Sequence, residues 1–297
     1  MPKPKITVFT PTYNRGYIIR NLYESLRNQT YKDFEWIVID DGSNDHTQEL
    51  FHSWLEDKND FPIFYLKVEN GGKHRAINRA LDMASGELFF IVDSDDYLIN
   101  SALEKISGWE RTLEQSNNQF VGISGNKGYS NHRIIGETFD GEFVDATSLE
   151  RVKYNILGDK AEVFYTHILR KYKFPEIDGE NFITEAVVWE KIANDGFKIR
   201  WFNEIIYFCD YLDDGLTKAG MDLFYNNPKG YALYLKQQIV FYNYSLLKKM
   251  GTYIKYYVGL KGRLTKNEIS LNLDISKSYL NLLIVLKYIK SLIKGII

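Results

Sequence analysis

Within the first hundred residues, four short apolar runs alternate with stretches of helical period, and each run stops in polar, glycine-rich or acidic residues. Residues 6–10 lead into Pro11-Thr12-Tyr13-Asn14-Arg15, after which Ile18, Leu22 and Leu26 recur at helical spacing. Residues 34–39 end in Asp40-Asp41-Gly42-Ser43, followed by a helix with Leu50, Trp54 and Leu55 on its apolar face. Residues 63–68 give way to Asn70-Gly71-Gly72-Lys73 and a helix carrying Ala76, Ile77, Ala80, Leu81 and Ala84. Residues 88–92 then stop in Asp93-Ser94-Asp95-Asp96. Strands that alternate with helices in this way build a parallel sheet covered on both faces. Ligands of such a sheet sit beyond the carboxyl ends of its strands, so these four polar ends are the candidate site.

The fourth end is the most demanding. Three carboxylates within four residues repel one another unless a cation neutralises them, and a hard divalent ion that also binds phosphate oxygens does so economically. A solvated acidic turn, with Asp96 capping a helix that begins near Asn100, is the plainer alternative. Asp40-Asp41-Gly42-Ser43 has a double reading too. One aspartate explains a turn, and the second is free to accept from a base or ribose. Glycines 71 and 72 permit both a tight turn and close backbone approach by a ligand.

The 297 residues, 44% hydrophobic and 15% aromatic, suffice for a substantial core. A single cysteine, Cys209, excludes an intramolecular disulfide and a cysteine-built zinc site, which points to a reducing, cytoplasmic setting. No signal-peptide core or bilayer-length apolar run is present. Charge is unevenly spread. Residues 229–297 hold 12 Lys+Arg against 2 Asp+Glu, a net +10, and residues 1–228 hold 25 against 37, a net −12. A basic tail on an acidic body suggests an anionic partner, membrane lipid or a polyanionic chain. Nucleic acid is disfavoured, since the tail has no helix-turn-helix, zinc-finger spacing or aromatic nucleic-acid signature.

Taken together, the Pro11-to-Arg15 turn, Ile39-Asp40-Asp41-Gly42-Ser43, Asn70-x-Gly72 with Ala76 and Asn78, and Gly86-Glu87 leading into Asp93-Ser94-Asp95-Asp96 resemble the nucleotide-sugar-binding half of family 2 glycosyltransferases. The resemblance covers residues 5–100. It implies the α/β fold called GT-A: a Rossmann-like mixed, mainly parallel sheet with flanking helices, here followed by a C-terminal helical extension. It implies that Pro11, Tyr13 and Asp41 line the nucleoside pocket, with Asn70 and Lys73 or Arg75 near the base and phosphates. Asp93, with Ser94 beside it, would meet ribose or sugar, and Asp95 would ligate Mn²⁺ or Mg²⁺ bridging the diphosphate. The family often has an arginine just before the position of Asn78, where this chain has Ile77. The basic contact then falls to Lys73, His74 or Arg75, and His74 reads as a helix-surface residue.

The second half is less regular. Residues 121–123, 133–136 and 162–165 read as short strands, with a polar loop over 124–131. Residues 198–202 and 205–209 read as two more. Thr184 is placed to cap a helix that carries Val188 and Ile192 on its buried side, which puts Glu185 in the first turn, where a carboxylate is favoured by the backbone dipole. In the family an acidic pair opens this helix and supplies the general base. Here the pair is Glu-Ala, so the resemblance carries the base to Glu185, with Asp178, Glu180 and Glu190 as rivals. The loop from Asp210 to Lys218 resembles the family's flap over the donor, with Thr217 and Lys218 reaching the diphosphate. No histidine follows His167, so the C-terminal histidine ligand of some related enzymes is missing.

Residues 221–297 read as helices broken near Gly259 to Gly262. The last, residues 279–297, interleaves leucine and isoleucine with lysines, a pattern suited to an anionic membrane surface, a second copy of the chain, or the body of its own chain. The expected division is residues 1–220 as catalytic domain, 1–100 binding the nucleotide sugar and 101–220 the acceptor, with 221–297 as a helical region. The expected activity is inverting, metal-dependent transfer from a nucleoside diphosphate sugar, UDP by analogy, to a glycan, glycolipid or glycoprotein hydroxyl in bacterial surface glycan assembly. It would act in the cytoplasm, at the inner face of the membrane. The rivals are a nucleotidyltransferase, which would want a glycine-rich phosphate loop after the first strand, and a sugar-nucleotide or glycan-binding scaffold without a base.

Overall fold

The computed structural model describes residues 3–114, 119–209 and 216–294, without the side chains of 216–219 and 290–294. The chain divides into two compact units, residues 1–176 with 188–213 and residues 177–187 with 214–297.

The first unit is built on one sheet. Its strands are β1 (Ile6–Thr12), β2 (Phe34–Asp40), β3 (Ile63–Lys67), β4 (Leu88–Ile91), β5 (Tyr97–Leu98), β6 (Phe120–Gly128), β7 (Phe143–Ala146), β8 (Lys160–Tyr165) and β9 (Lys198–Phe208). They run in the order β3-β2-β1-β4-β8-β6-β9-β5, with β7 paired to β9. β1 is parallel to both β2 and β4, and β2 to β3, so the four sequence-predicted strand ends share one edge. Strand order reverses between β1 and β4, which opens the crevice where ligands of such sheets bind. Every residue of β2 is buried, as a strand covered on both faces requires. α1 (Arg20–Arg27), α2 (Thr47–Glu56) and α4 (Ala102–Arg111) contribute Leu22, Phe51, Trp54 and Ile106 to a core with Val8, Trp36 and Phe90. α3 (Lys73–Met83) packs on β1 and β2, burying Ile77 and Leu81. The turn before β4 depends on Gly86, where a Cβ would lie 2.4 Å from the Thr7 backbone nitrogen. α5 (Thr166–Leu169) follows β8, and α6 (Ala186–Asn194) crosses the division between the units.

Several expectations need correction. Leu55 is 46% exposed, and α2 buries Phe51 and Trp54 instead, three positions apart on one face. β3 is an edge strand, so Phe64 and Leu66 stay exposed. Asp96 does not cap α4, whose cap position is Ser101; its carboxylate accepts from the Tyr207 hydroxyl. The polar loop over 124–131 is largely β6, which runs on to Gly128. Its glycines mark close packing: a Cβ on Gly125 would meet Ile206 at 2.8 Å, and one on Gly128 would meet Ile205 at 2.8 Å. Residues 133–136 contribute only an isolated bridge, Gly128 to Ile134. The two short strands over 198–209 are one, β9, and β7 lies where no strand was expected.

The second unit holds α7 (Leu216–Asn226), α8 (Pro228–Phe241), α9 (Leu246–Leu260), α10 (Lys266–Leu273) and α11 (Lys277–Lys294). Tyr231, Tyr256, Leu260, Ile269, Leu273, Leu280 and Leu283 form its core. α9 continues through Gly259, where a Cβ would collide with the Tyr225 ring at 2.2 Å, so the break starts only at Lys261. Among the described residues no single helix is long and apolar enough to cross a membrane; only α10 with the first part of α11 passes as a pair, bent by 106°.

Candidate active site

The loops after β1 and β2 are tied together by their own polar groups. Asn14 adopts a positive φ of 53°, which asparagine tolerates; its N–H donates to Ser43 Oγ at 2.8 Å, and its Oδ1 accepts from the Asn44 N–H at 2.8 Å. Asp40 Oδ1 accepts from the Ser43 N–H at 2.7 Å, and Oδ2 accepts from the Tyr65 hydroxyl. Asp41 holds the next loop. Its two oxygens accept from the N–H groups of Gly71 and Gly72 at 2.7 and 2.8 Å, and Asn70 Nδ2 donates to the Asp41 carbonyl at 2.8 Å. Burial pushes the Asp41 carboxyl up, and the two glycine N–H groups oppose that shift. Pro11 is half-buried at the end of β1 and Tyr13 is exposed, its ring available to a planar base.

The carboxylates after β4 meet cations instead. Lys73, the first residue of α3, places Nζ 2.6 Å from Asp93 Oδ1, and Lys127 of β6 places Nζ 3.7 Å from Asp93 Oδ2 and 4.0 Å from Asp96 Oδ2. Arg15 Nε lies 3.9 Å from Asp95 Oδ2. Burial alone would raise the Asp93 carboxyl, but Lys73 and Lys127 reverse this and hold it low. Asp95 is raised, first by burial and then by the charge of Asp93. Burial also raises Asp96, against the pull of Lys127. Asp95, 3.9 Å from Arg15 and beside two other carboxylates, is a group that gains from a divalent cation. Among the described residues no three Asp, Glu, His or Cys side chains are arranged to hold a metal by themselves. A cation here would need non-protein oxygens, as a diphosphate supplies.

The basic residues of α3 separate clearly. Lys73 reaches Asp93. Arg75 donates to the Gly71 carbonyl and lies 3.6 Å from Glu176. His74, expected on the helix surface, is 1% exposed, and neither ring nitrogen has a hydrogen-bond partner among the described residues. Burial, reinforced by Arg75, lowers its pKa to about 4. His74 lies on the buried face of α3 with Ile77, Asn78 and Leu81. Asn78 is buried as well, its Nδ2 donating to the Phe174 carbonyl and to Glu176.

Sequence reasoning missed Lys127 and Tyr207. The hydroxyl of Tyr207 on β9 donates to Asp96 Oδ2 at 2.6 Å and accepts from the Asp93 N–H at 2.9 Å. A signal for Lys127 existed in Gly125 and Gly128, which flank it with strand-packing glycines rather than loop residues.

The expected base belongs to the second unit. Glu185 is half-buried and directly precedes α6, which begins at Ala186, so it stands just before the first helical turn rather than in it. Of its rivals, Glu180 is buried and accepts from the N–H groups of Lys229 and Gly230, both at 2.7 Å, at the start of α8. Asp178 is exposed, and Glu190 is buried on α6. The flap residues 210–215 and the side chains of Thr217 and Lys218 lie outside the described part of the chain.

Comparison with known proteins agrees with this arrangement. Residues 7–130 match the model of glycosyl transferase family 2. A Campylobacter jejuni protein, GalNAc(5)-diNAcBac-PP-undecaprenol beta-1,3-glucosyltransferase, is 30% identical over 201 residues, covering 65% of this chain and 60% of its own length. Staphylococcus aureus TarS 1-349 in complex with UDP-GlcNAc superimposes with a TM-score of 0.61 at 18% identity, over 91% of this chain and 84% of that one. A Pyrobaculum calidifontis mannosyltransferase in complex with GDP-Man and Mn²⁺ gives 0.54 at 19% identity, over 92% and 72%. The chain spans less than two thirds of the Campylobacter relative, and the two structural likenesses speak for the fold alone. With its acid-bearing strand ends gathered on one edge of a GT-A-like sheet, the chain carries over residues 7–130 a region that matches glycosyl transferase family 2.

Proposed function

We propose that this chain transfers a sugar from a nucleoside diphosphate donor, UDP-linked, to a hydroxyl of a glycan, glycolipid or glycoprotein acceptor in bacterial surface glycan assembly, with inversion at the anomeric carbon. The observation that carries the reading is the rim itself, where Asp93, Asp95 and Asp96 face Arg15, Lys73 and Lys127. Residues 1–100 would hold the donor, with Pro11, Tyr13, Asp41 and Asn70 around the nucleoside, and residues 101–220 the acceptor. Asp95 would hold Mn²⁺ or Mg²⁺, which supplies charge stabilisation to the departing diphosphate. Two structural neighbours, solved in complex with UDP-GlcNAc and with GDP-Man and Mn²⁺, support donor class and metal.

In the reaction, Glu185 takes the proton of the acceptor hydroxyl as its oxygen forms a bond to the anomeric carbon. The bond from that carbon to the diphosphate oxygen breaks, and the diphosphate leaves with the electron pair. Loss of a general base lowers turnover by roughly 10²–10⁴-fold. Glu185→Gln should therefore abolish detectable transfer while UDP binding by calorimetry is retained. Transfer within tenfold of wild type would remove Glu185 from the mechanism.

The finer reading of partners includes peripheral contact with anionic lipid through residues 276–297. On α11, Leu282, Val285, Leu286 and Ile289 form a stripe at helical spacing, each at least 40% exposed, while Leu280, Leu283 and Ile284 face the unit's own core. The net +10 of residues 229–297 complements an anionic surface. Full-length protein should sediment with phosphatidylglycerol vesicles and not with phosphatidylcholine. Equal recovery from both, or from neither, would reject this contact.

A further inference from the structure

We infer that Lys127 is a positioning residue of the donor site: its ammonium, set beneath the turn from Asp93 to Asp96, fixes the shape in which that turn meets the diphosphate. The inference rests on the donor-site reading above and goes beyond it to a residue on another strand.

Lys127 is drawn from a bulged part of the sheet. β6 and β9 run parallel with register shifts after Ser124 and after Asn126, where Asn126 pairs with Ile205 and Lys127 with Tyr207, so that β9 carries an extra residue. Such irregularities re-aim side chains beside functional sites. Here the side chain is 13% exposed and its Nζ lies 4.0 Å from the centre of the Tyr207 ring. From that seat it is shared between Asp93 at 3.7 Å and Asp96 at 4.0 Å, each too long for a close single pair and together a bridge. Tyr207 closes the same unit from below, donating to Asp96 and accepting from the Asp93 N–H. Burial would lower the lysine's pKa, but Asp93 and Asp96 outweigh it and keep the ammonium charged.

The arrangement separates two tasks. Lys73 has its side chain 25% exposed and meets Asp93 from α3, at the front of the rim. Lys127 meets the same carboxylate from within the sheet and reaches no open surface comparable to that of Lys73. A cation in such a place acts on the donor through the turn, by bridging Asp93 and Asp96 and so holding Asp95 between them. A misplacement of about 1 Å at a reacting centre can lower turnover about a hundredfold.

Full-length Lys127→Met is therefore expected to lose about a hundredfold in kcat with donor KM within threefold of wild type, the signature of an interaction realised only in the transition state. Lys127→Arg, which keeps the charge, should recover to within tenfold of wild type. Two results would overturn the inference: kcat within threefold in a folded Lys127→Met, or a raised KM with kcat preserved, which would make Lys127 a direct donor contact. If Lys127→Met does not fold, Tyr207→Phe decides, because it deletes one hydroxyl and keeps the ring. A kcat-selective loss of about tenfold supports the bridge, and wild-type kinetics reject it. Failure of the donor reading is distinguishable, since wild type would then transfer no sugar from any nucleoside diphosphate sugar.

Discussion

Two acidic strand ends lie on the same edge of the sheet, and they hold their charge by opposite means. After β2, Asp40 and Asp41 are engaged by backbone N–H groups of Ser43, Gly71 and Gly72 and by the Tyr65 hydroxyl. After β4, Asp93 and Asp96 are engaged by the ammonium groups of Lys73 and Lys127. Backbone donors are fixed by the fold, so the first pair shapes a loop and leaves each Asp41 oxygen a lone pair for a ligand. A lysine side chain rotates on a flexible stem, so the second set can exchange one cation for another when a diphosphate and its metal arrive. The same residue type therefore serves as scaffold at one strand end and as an exchangeable charge site at the next.

This contrast is most directly broken by a matched pair of isosteric changes. Asp95→Asn removes the charge from the carboxylate expected to serve the leaving group, and turnover should fall about 10³-fold, the scale seen when one transition-state electrostatic contact is lost. Asp41→Asn removes an acceptor from the loop staple and sets an amide NH₂ against a glycine N–H. It should raise donor KM about tenfold and destabilise the protein by about 1–3 kcal/mol, with kcat largely kept. Steady-state kinetics and urea melts of both variants give the comparison. If Asp41→Asn lost kcat and Asp95→Asn lost only stability, the assignment of scaffold and charge site would be inverted.

Legibility followed how local each structural cause was. The β1 to β4 ends could be read because strand, turn and helix alternate within a short stretch, and parallel strands place all four ends on one edge whatever the side chains do next. Gly86 was legible as part of a motif, and its physical reason, the 2.4 Å approach to Thr7, needed the structure. Lys127 was hard to read because the second half of β6, residues 124–128, is glycine and polar residues that mimic a loop, and its strand character comes from β8 and β9, its partners across more than thirty residues of chain. Asp96 was misread for a similar reason. A helix cap is a local explanation, whereas its partner Tyr207 is 111 residues away. His74 followed neither pattern: it reads from sequence as a helix-surface residue, and the buried side of α3 passes through it.

His74 also joins the two acidic ends, because the segment it opens begins at the Asp41-held glycines and presents Lys73 to Asp93. Its imidazole is buried without a partner among the described residues, with Arg75 nearby disfavouring a second positive charge and Glu176 only partly opposing it. The folded pKa of about 4 lies below the ordinary histidine value of 6.5, so between these values the unfolded chain binds the extra proton and the folded chain does not. Stability from this residue is then fully present above about pH 6.5 and is lost as pH falls toward 4, by up to about 3 kcal/mol. Urea midpoints at pH 7.5, 6.5, 5.5 and 4.5 for wild type and His74→Leu test this. The variant should lack the part of the acid-side decline that lies below pH 6.5, and superimposable pH profiles would show that the proton is taken up elsewhere. Loosening at this joint should also release Lys73 from Asp93, whereas the Asp41 staple keeps its backbone donors and responds to acid only through its own carboxylate.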